Sequence, residues 1–391
     1  MLFSTRPKDD RRDLYDREAE IEAIKDSIRR REWIAVLGIR RVGKTSVVNV
    51  SIGESNAIPL KVNLMRLHNP RRSRYPRDEF TGLLLESVSQ TVRSSTPGGR
   101  VSRFISNILG IDEEIFLDFN PVRIKPRLKR FRAHDVAALL REMDSFASDN
   151  GKSLVLILDE AQELAKIDLD LSTLFHDVYE NCRNTVVVMT GSMVRIVESV
   201  LRDVEYGEPF FGRYIRKVEL PRFTADQSRD FLHRGFQEEG VSVDPVIVEE
   251  AVARLDGVPG WLTIFGSELS FSLKHGMAPN LEEIVEKAIK EAENEAGNFL
   301  KYTQSPERYS AIVLSLHRLG GRGRLSEIAR VSGTLLGEDI PRPRIYELLN
   351  RLLDYGFVKA DDEEYSLPED EPNRIGLVRA SEGILGDEAA R

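Results

Sequence analysis

Residues Gly38 to Ser46 read Gly-Ile-Arg-Arg-Val-Gly-Lys-Thr-Ser. A glycine, four residues and then Gly43-Lys44-Thr45 is the spacing of a phosphate-binding loop. Glycines let the backbone curl, so that the N–H groups of Gly38, Ile39, Arg40, Arg41, Val42 and Gly43 can point inward at phosphate oxygens. Lys44 reaches the β- and γ-phosphates, and the Thr45 hydroxyl is a Mg2+ ligand. The helix that opens here, with Ser46 in its first turn, turns its positive end toward the same phosphates.

A second chemical element lies further along. The apolar run Leu154–Leu158 ends in Asp159-Glu160. Asp159 can hold Mg2+ through water, and Glu160 can act as the base on an attacking water. Two such carboxylates favour ATP hydrolysis over phosphoryl transfer to a small molecule. Thr190 and Ser192 end another apolar run, beside the place a γ-phosphate would take. Their hydroxyls either orient the attacking water or cap the strand exit.

Groups of this kind need strands and helices to hold them. Trp33–Leu37 is a short apolar run before the glycine loop, and helical periodicity follows it. Ile21, Ile24 and Ile28 share one face of a helix within 13–30. Further strands are predicted at Ile58–Leu64, Leu154–Leu158, Thr185–Ser192 and Ile215–Leu220. Apolar strands separated by helices imply an α/β fold with a parallel sheet covered on both faces. A β-hairpin insertion is predicted over 111–129, with Glu113, Glu114 and Asp118 on one arm and Arg123, Lys125 and Arg127 on the other.

Strand signals stop after Pro221. Thr224 with Gln227 forms a capping box, and Asp244-Pro245 starts another helix. Gly257-Val258-Pro259-Gly260 breaks the pattern. Three helices and two short strands around an acidic wing, over about 305–367, follow a winged helix-turn-helix pattern. The expected domains are 1–222, an α/β core; 223–303, all-α; 304–368, the winged unit; and 369–391, an acidic and mobile tail.

The chain has 391 residues, with 56 Lys+Arg against 64 Asp+Glu and a net charge of −8. That balance excludes a wholesale polycation and leaves room for local basic patches. The single Cys182 cannot form an internal disulfide, and the six histidines have no metal-ligand spacing, which argues against zinc. Nothing approaches the roughly 18 apolar residues of a membrane span. A soluble, cytoplasmic, reducing setting is expected.

These stretches resemble the archaeal ATPases of the STAND/AAA+ group of P-loop NTPases. The resemblance rests on Asp16-Arg17-Glu18, the glycine loop, Leu-Asp-Glu-Ala-Gln from Leu158, Met-Thr-Gly-Ser from Met189, Phe-Phe-Gly-Arg from Phe210 and Gly-Val-Pro-Gly-Trp-Leu from Gly257. The two loop arginines, Arg40 and Arg41, and the Gly257/Pro259 pair are its most specific marks. It covers about residues 13–265, and the C-terminal winged unit fits as well.

The resemblance implies a five-stranded core of order 5-1-4-3-2, a helical lid and a winged helix. It implies that Arg17, beside Tyr15 and Asp16, lies near the adenine. It also implies that Pro259 packs on the base and that Arg213 approaches the γ-phosphate, from the same chain or a neighbour. Alternatively, Arg213 is a surface ion pair and Pro259 a helix break.

The partner must be read from the residues. Arg342, Arg344 and Arg351 lie off the apolar face of the third helix of the winged unit. Arg318, Arg322 and Arg324 precede its second helix. The basic stretches 66–77 and 123–132 are further candidates. Double-stranded DNA is one expected partner. The acidic wing Asp361–Glu364 would repel a DNA backbone, so a protein partner or self-association gated by ATP is the alternative.

Overall fold

The computed structural model describes residues 1–67, 69, 72, 74–93, 102–103, 105–107, 114, 133–191, 214–278 and 280–389. The hairpin expected over 111–129, apart from Glu114, lies outside the described residues. So do the basic stretch 123–132, part of the stretch 66–77, and Ser192 and Arg213.

Two compact units emerge. One comprises Arg17–Leu37 and Lys44–Glu219; the other comprises Met1–Asp16, Gly38–Gly43 and Leu220–Arg391. The first holds helix α1 (Glu18–Arg30), strand β1 (Trp33–Leu37), α2 (Lys44–Gly53), β2 (Ala57–Asn63), α3 (Arg77–Arg93), α4 (Ala133–Asp149), β3 (Ser153–Asp159), α5 (Leu171–Asn181), β4 (Thr185–Gly191) and β5 (Ile215–Glu219).

The five strands are parallel and lie in the order β2-β3-β4-β1-β5. Read from the other edge, this is the order the resemblance implies. β1 and β4 are buried along their whole length, as strands covered on both faces must be. β2 alternates buried and exposed positions, as an edge strand does. Leu60, Val62, Leu84, Leu139, Leu154 and Val187 are completely buried in one continuous core. Each such side chain contributes about 1.5–3 kcal/mol by leaving water.

The second unit is helical: α6 (Ala225–Glu239), α7 (Pro245–Leu255), α8 (Pro259–Lys274), α9 (Leu281–Lys301) and α10 (Pro306–Arg318). The capping box at Thr224 and Gln227 and the Asp244 cap form as expected. Strand β6 (Arg322–Arg324), α11 (Leu325–Leu336), α12 (Arg342–Asp354), β7 (Lys359–Asp361) and β8 (Glu364–Ser366) follow. β8 lies between β6 and β7 in an antiparallel sheet.

Two expectations need correction here. The region holds three short strands rather than two, because β6 precedes its second helix, which runs through Gly333 to Leu336. The tail is acidic as expected but is a packed helix rather than a mobile segment. Residues Glu371–Ala389 form helix α13, with Leu377, Val378, Ala380 and Ile384 buried.

The N-terminus belongs to the helical unit. Phe3 is buried and packs edge-on against Phe231 and Phe236. A Cβ at Gly235 or Gly266 would come within 2.3 Å of its ring, so both helices leave it room only by lacking side chains there.

Candidate active site

The carboxyl edge of a parallel sheet is where such folds collect ligands. β3 delivers Asp159 to that edge, in register with Asn63 at the end of β2. β4 delivers Thr190, opposite Val36 of β1. Apolar pressure along β3 buries Leu154–Leu158 and leaves Asp159 and Glu160 half-buried at its end.

Hydrogen bonds tie these ends together. The Thr190 hydroxyl donates to Asp159 Oδ1, and the Glu160 N–H donates to Thr190 Oγ1 at 3.3 Å. Thr190 thus touches the Asp159 carboxylate and the Glu160 main chain. Glu160 has φ 57° and ψ 55°, a left-handed turn that starts a 3₁₀ helix at Ala161. Its carboxylate accepts from Gln162 Nε2, and Gln162 is buried.

Gln162 was legible only as part of a motif, and no periodicity singles it out. Beneath it Glu163 is fully buried, accepts from the Tyr75 hydroxyl at 2.7 Å and pairs with Lys166 at 3.0 Å. This network fixes the turn that carries Glu160.

α2 opens at Lys44, directly after the glycine loop that leaves β1. Lys44 is buried and Thr45 is exposed. The loop has the curl its glycines allow: φ is 157° at Gly38, 63° at Arg41 and 98° at Gly43. A Cβ on Gly38 would sit 2.8 Å from the Leu220 carbonyl oxygen, so only glycine fits there. The first turn of a helix carries N–H groups without intrahelical acceptors, and such a turn can cradle oxyanions. Two carboxylates and a hydroxyl at the end of β3 and β4 can place a cation and accept a proton from water.

The remaining residues implied by the resemblance sit in other settings. Arg17 is buried and pairs with Glu20 at 3.1 Å. The Tyr15 hydroxyl donates to Asp230 Oδ2 at 2.6 Å, and its ring packs edge-on against Phe223 and Phe231. Burial first, and then Asp230, pushes the Tyr15 hydroxyl above its ordinary value. Pro259 is the first residue of α8.

The glycines around Pro259 have structural reasons. Gly257, at φ 66°, would drive a Cβ to 2.0 Å from the Phe223 carbonyl oxygen. The Gly260 N–H donates to the Arg41 carbonyl at 2.9 Å.

In the C-terminal region Arg342 is exposed, and Arg344 pairs with Glu347 at 2.6 Å. Arg351 is half-buried. Arg322 and Arg324 lie 3.9 and 3.8 Å from Glu364 of the acidic turn.

A parallel five-stranded sheet, a phosphate-type loop into a helix and an Asp-Glu pair at the sheet's carboxyl edge define a P-loop nucleotide hydrolase. Residues 14–265 match the family described as an ATPase domain predominantly from Archaea. The chain belongs to that family, and it is an ATPase.

Among solved structures it is similar to a Walker-type ATPase of Pyrococcus abyssi. That match has 27% identity and a TM-score of 0.73, and covers 97% of this chain and 100% of the other. It is similar in fold to the ORC2 protein of Aeropyrum pernix, solved as ADPNP–ADP complexes. There the identity is 15% and the TM-score 0.59, over 97% of this chain and 96% of that one. No curated protein matches the chain. Among the described residues no helix is long and apolar enough to cross a membrane.

Proposed function

We propose that the protein is an ATP-hydrolysing switch that couples nucleotide state to DNA binding through a C-terminal winged helix. The observation that carries hydrolysis is the hydrogen-bonded cluster of Asp159, Glu160 and Thr190, at the sheet edge where β1 gives way to the glycine loop. In this reading the loop amides and Lys44 bind the β- and γ-phosphates, and Glu160 takes the proton of the attacking water. Thr190 and Gln162 hold the two carboxylates in place. ATP and ADP are the ligands.

The donor set, a Thr45 hydroxyl and an Asp159 carboxylate, consists of hard oxygens that suit Mg2+. Mg2+ bound there supplies neutralisation of phosphate charge. Tyr15, Arg17 and Pro259 are assigned to the base end of the nucleotide, and Arg213 and Ser192 to the γ-phosphate end, on the resemblance alone.

The order α10, β6, α11, α12, β7, β8 supports a winged helix with α12 as its reading helix. Exposed Arg318, Arg322, Arg324, Arg330 and Arg342 support phosphate contact. One observation favours a second reading, a STAND-type regulator that gates protein contacts or self-assembly. Arg344 is paired with Glu347, and the turn Asp361–Glu364 is acidic.

Duplex binding titrated with salt, in ADP and in a non-hydrolysable ATP analogue, separates the two. DNA binding through four or five arginines predicts a log–log slope of about −4 that shifts with nucleotide. No binding at low salt in either nucleotide refutes the DNA role. An ATP-dependent change in oligomeric size without DNA supports the second reading.

A further inference from the structure

Arg41 is the one non-glycine residue of the glycine loop with a left-handed backbone, at φ 63°. A side chain raises the cost of that conformation, so something must hold it. The helical unit to which the loop belongs supplies four holds.

The Gly260 N–H, in the first turn of α8, donates to the Arg41 carbonyl at 2.9 Å. Gly260 is glycine for a reason, because a Cβ there would lie 2.6 Å from Arg41 Cβ. The Arg41 guanidinium lies over the Trp261 ring, 4.1 Å from its centroid. One turn apart on α9, Glu291 pairs with it at 3.2 Å and Glu295 pairs with it too. The Trp261 ring is itself fixed, being completely buried.

We propose that Gly260, Trp261, Glu291 and Glu295 are positioning residues for nucleotide binding. They clamp Arg41 and so hold the phosphate loop curled before the phosphates arrive. The guanidinium is then a handle for shaping the backbone and not a phosphate ligand: its charge is already answered by two carboxylates and an aromatic face. Preorganisation of this sort raises affinity by removing the ordering that binding would otherwise require. The inference rests on the nucleotide-site reading given above and adds the source of the loop's shape.

The test is a double-mutant cycle read by calorimetric binding of ADP and of a non-hydrolysable ATP analogue to the full chain. Glu295→Gln removes one charged hold and leaves the core intact; the expected loss of affinity is about tenfold for both nucleotides. Arg41→Gly accepts the left-handed turn without a clamp. In that background Glu295→Gln should cost nothing further.

Unchanged affinity in Glu295→Gln overturns the clamp, and so does an equal loss in the Arg41→Gly background. Glu291→Gln serves as the second variant and should behave in the same way. Lys44→Ala distinguishes the two levels of failure. If Lys44→Ala still binds nucleotide tightly, the site reading fails. If only the cycle is additive, the clamp alone fails.

Discussion

Trp261 Nε1 donates to Asp370 Oδ1 at 3.0 Å, and both side chains are completely buried. The same oxygen accepts the Asn373 N–H at 3.0 Å in the first turn of α13. Arg222 approaches the other oxygen at 3.7 Å and also pairs with Asp256. One carboxylate therefore caps the last helix, satisfies the tryptophan that underlies Arg41 and answers a half-buried arginine.

Asp370→Ala removes all three partners at once. A buried indole N–H would be stranded, while Arg222 keeps Asp256, and an unsatisfied buried donor typically costs about 1–3 kcal/mol. Asp370→Asn keeps an acceptor for Trp261 and should cost clearly less. Urea unfolding followed by tryptophan fluorescence measures both. An Asp370→Ala midpoint equal to wild type would mean the network carries no stability.

None of this was visible in the sequence. Trp261 and Asp370 lie 109 residues apart, and no periodicity relates them. The curl of the glycine loop and the strand-end placement of Asp159-Glu160 were legible because both are set by local sequence. The sheet was legible because apolar runs such as Val186-Val187-Val188 have few other destinations.

Helix α13 was misread because its composition is acidic and its buried positions form no single stripe. It is buried by close approach to its neighbours instead. A Cβ on Gly376 would lie 2.6 Å from the Glu293 backbone nitrogen and 2.8 Å from Ala292 Cβ. Contact of that kind between α13 and α9 depends on tertiary structure that a local pattern does not encode.

Cys182 is buried at the end of α5, and burial, ahead of the nearby Asp144 and Asp177, pushes its thiol up to about 12. The nucleophilic thiolate is then negligible at neutral pH. A maleimide reagent at pH 7.5 should label the native protein far more slowly than the urea-unfolded chain. Comparable rates would show that the helix end opens readily.

Tyr15 gives a pH signature. Its hydroxyl titrates higher in the folded protein than the ordinary value of about 10. The neutral phenol is therefore the form that the fold favours. Its contribution is fully present below pH 10 and is lost as pH rises past the unfolded value toward the folded one. Tyr15→Phe should cost about 1 kcal/mol near neutrality, the partner Asp230 being partly exposed. It should also flatten the loss of stability above pH 10. Thermal midpoints of both proteins between pH 8 and 11 test this, and parallel curves would exclude Tyr15 as the source.

Lys44 and Glu160 separate binding from chemistry. Lys44 is a buried ammonium at the head of α2. In the proposed site Lys44→Ala removes the positive charge assigned to the phosphates and should abolish detectable nucleotide binding. Glu160→Gln keeps the size and the capacity to hydrogen-bond but cannot accept a proton. Turnover should fall by about 10²–10⁴, the range of a general base, with ATP affinity nearly unchanged. Phosphate release under single-turnover conditions, beside equilibrium binding of a non-hydrolysable analogue, reads the two effects apart. Near-normal turnover in Glu160→Gln would move the base elsewhere. Asp159, hydrogen-bonded to Thr190 on the same edge, would be the first candidate, and Asp159→Asn would then have to show the loss that Glu160→Gln did not.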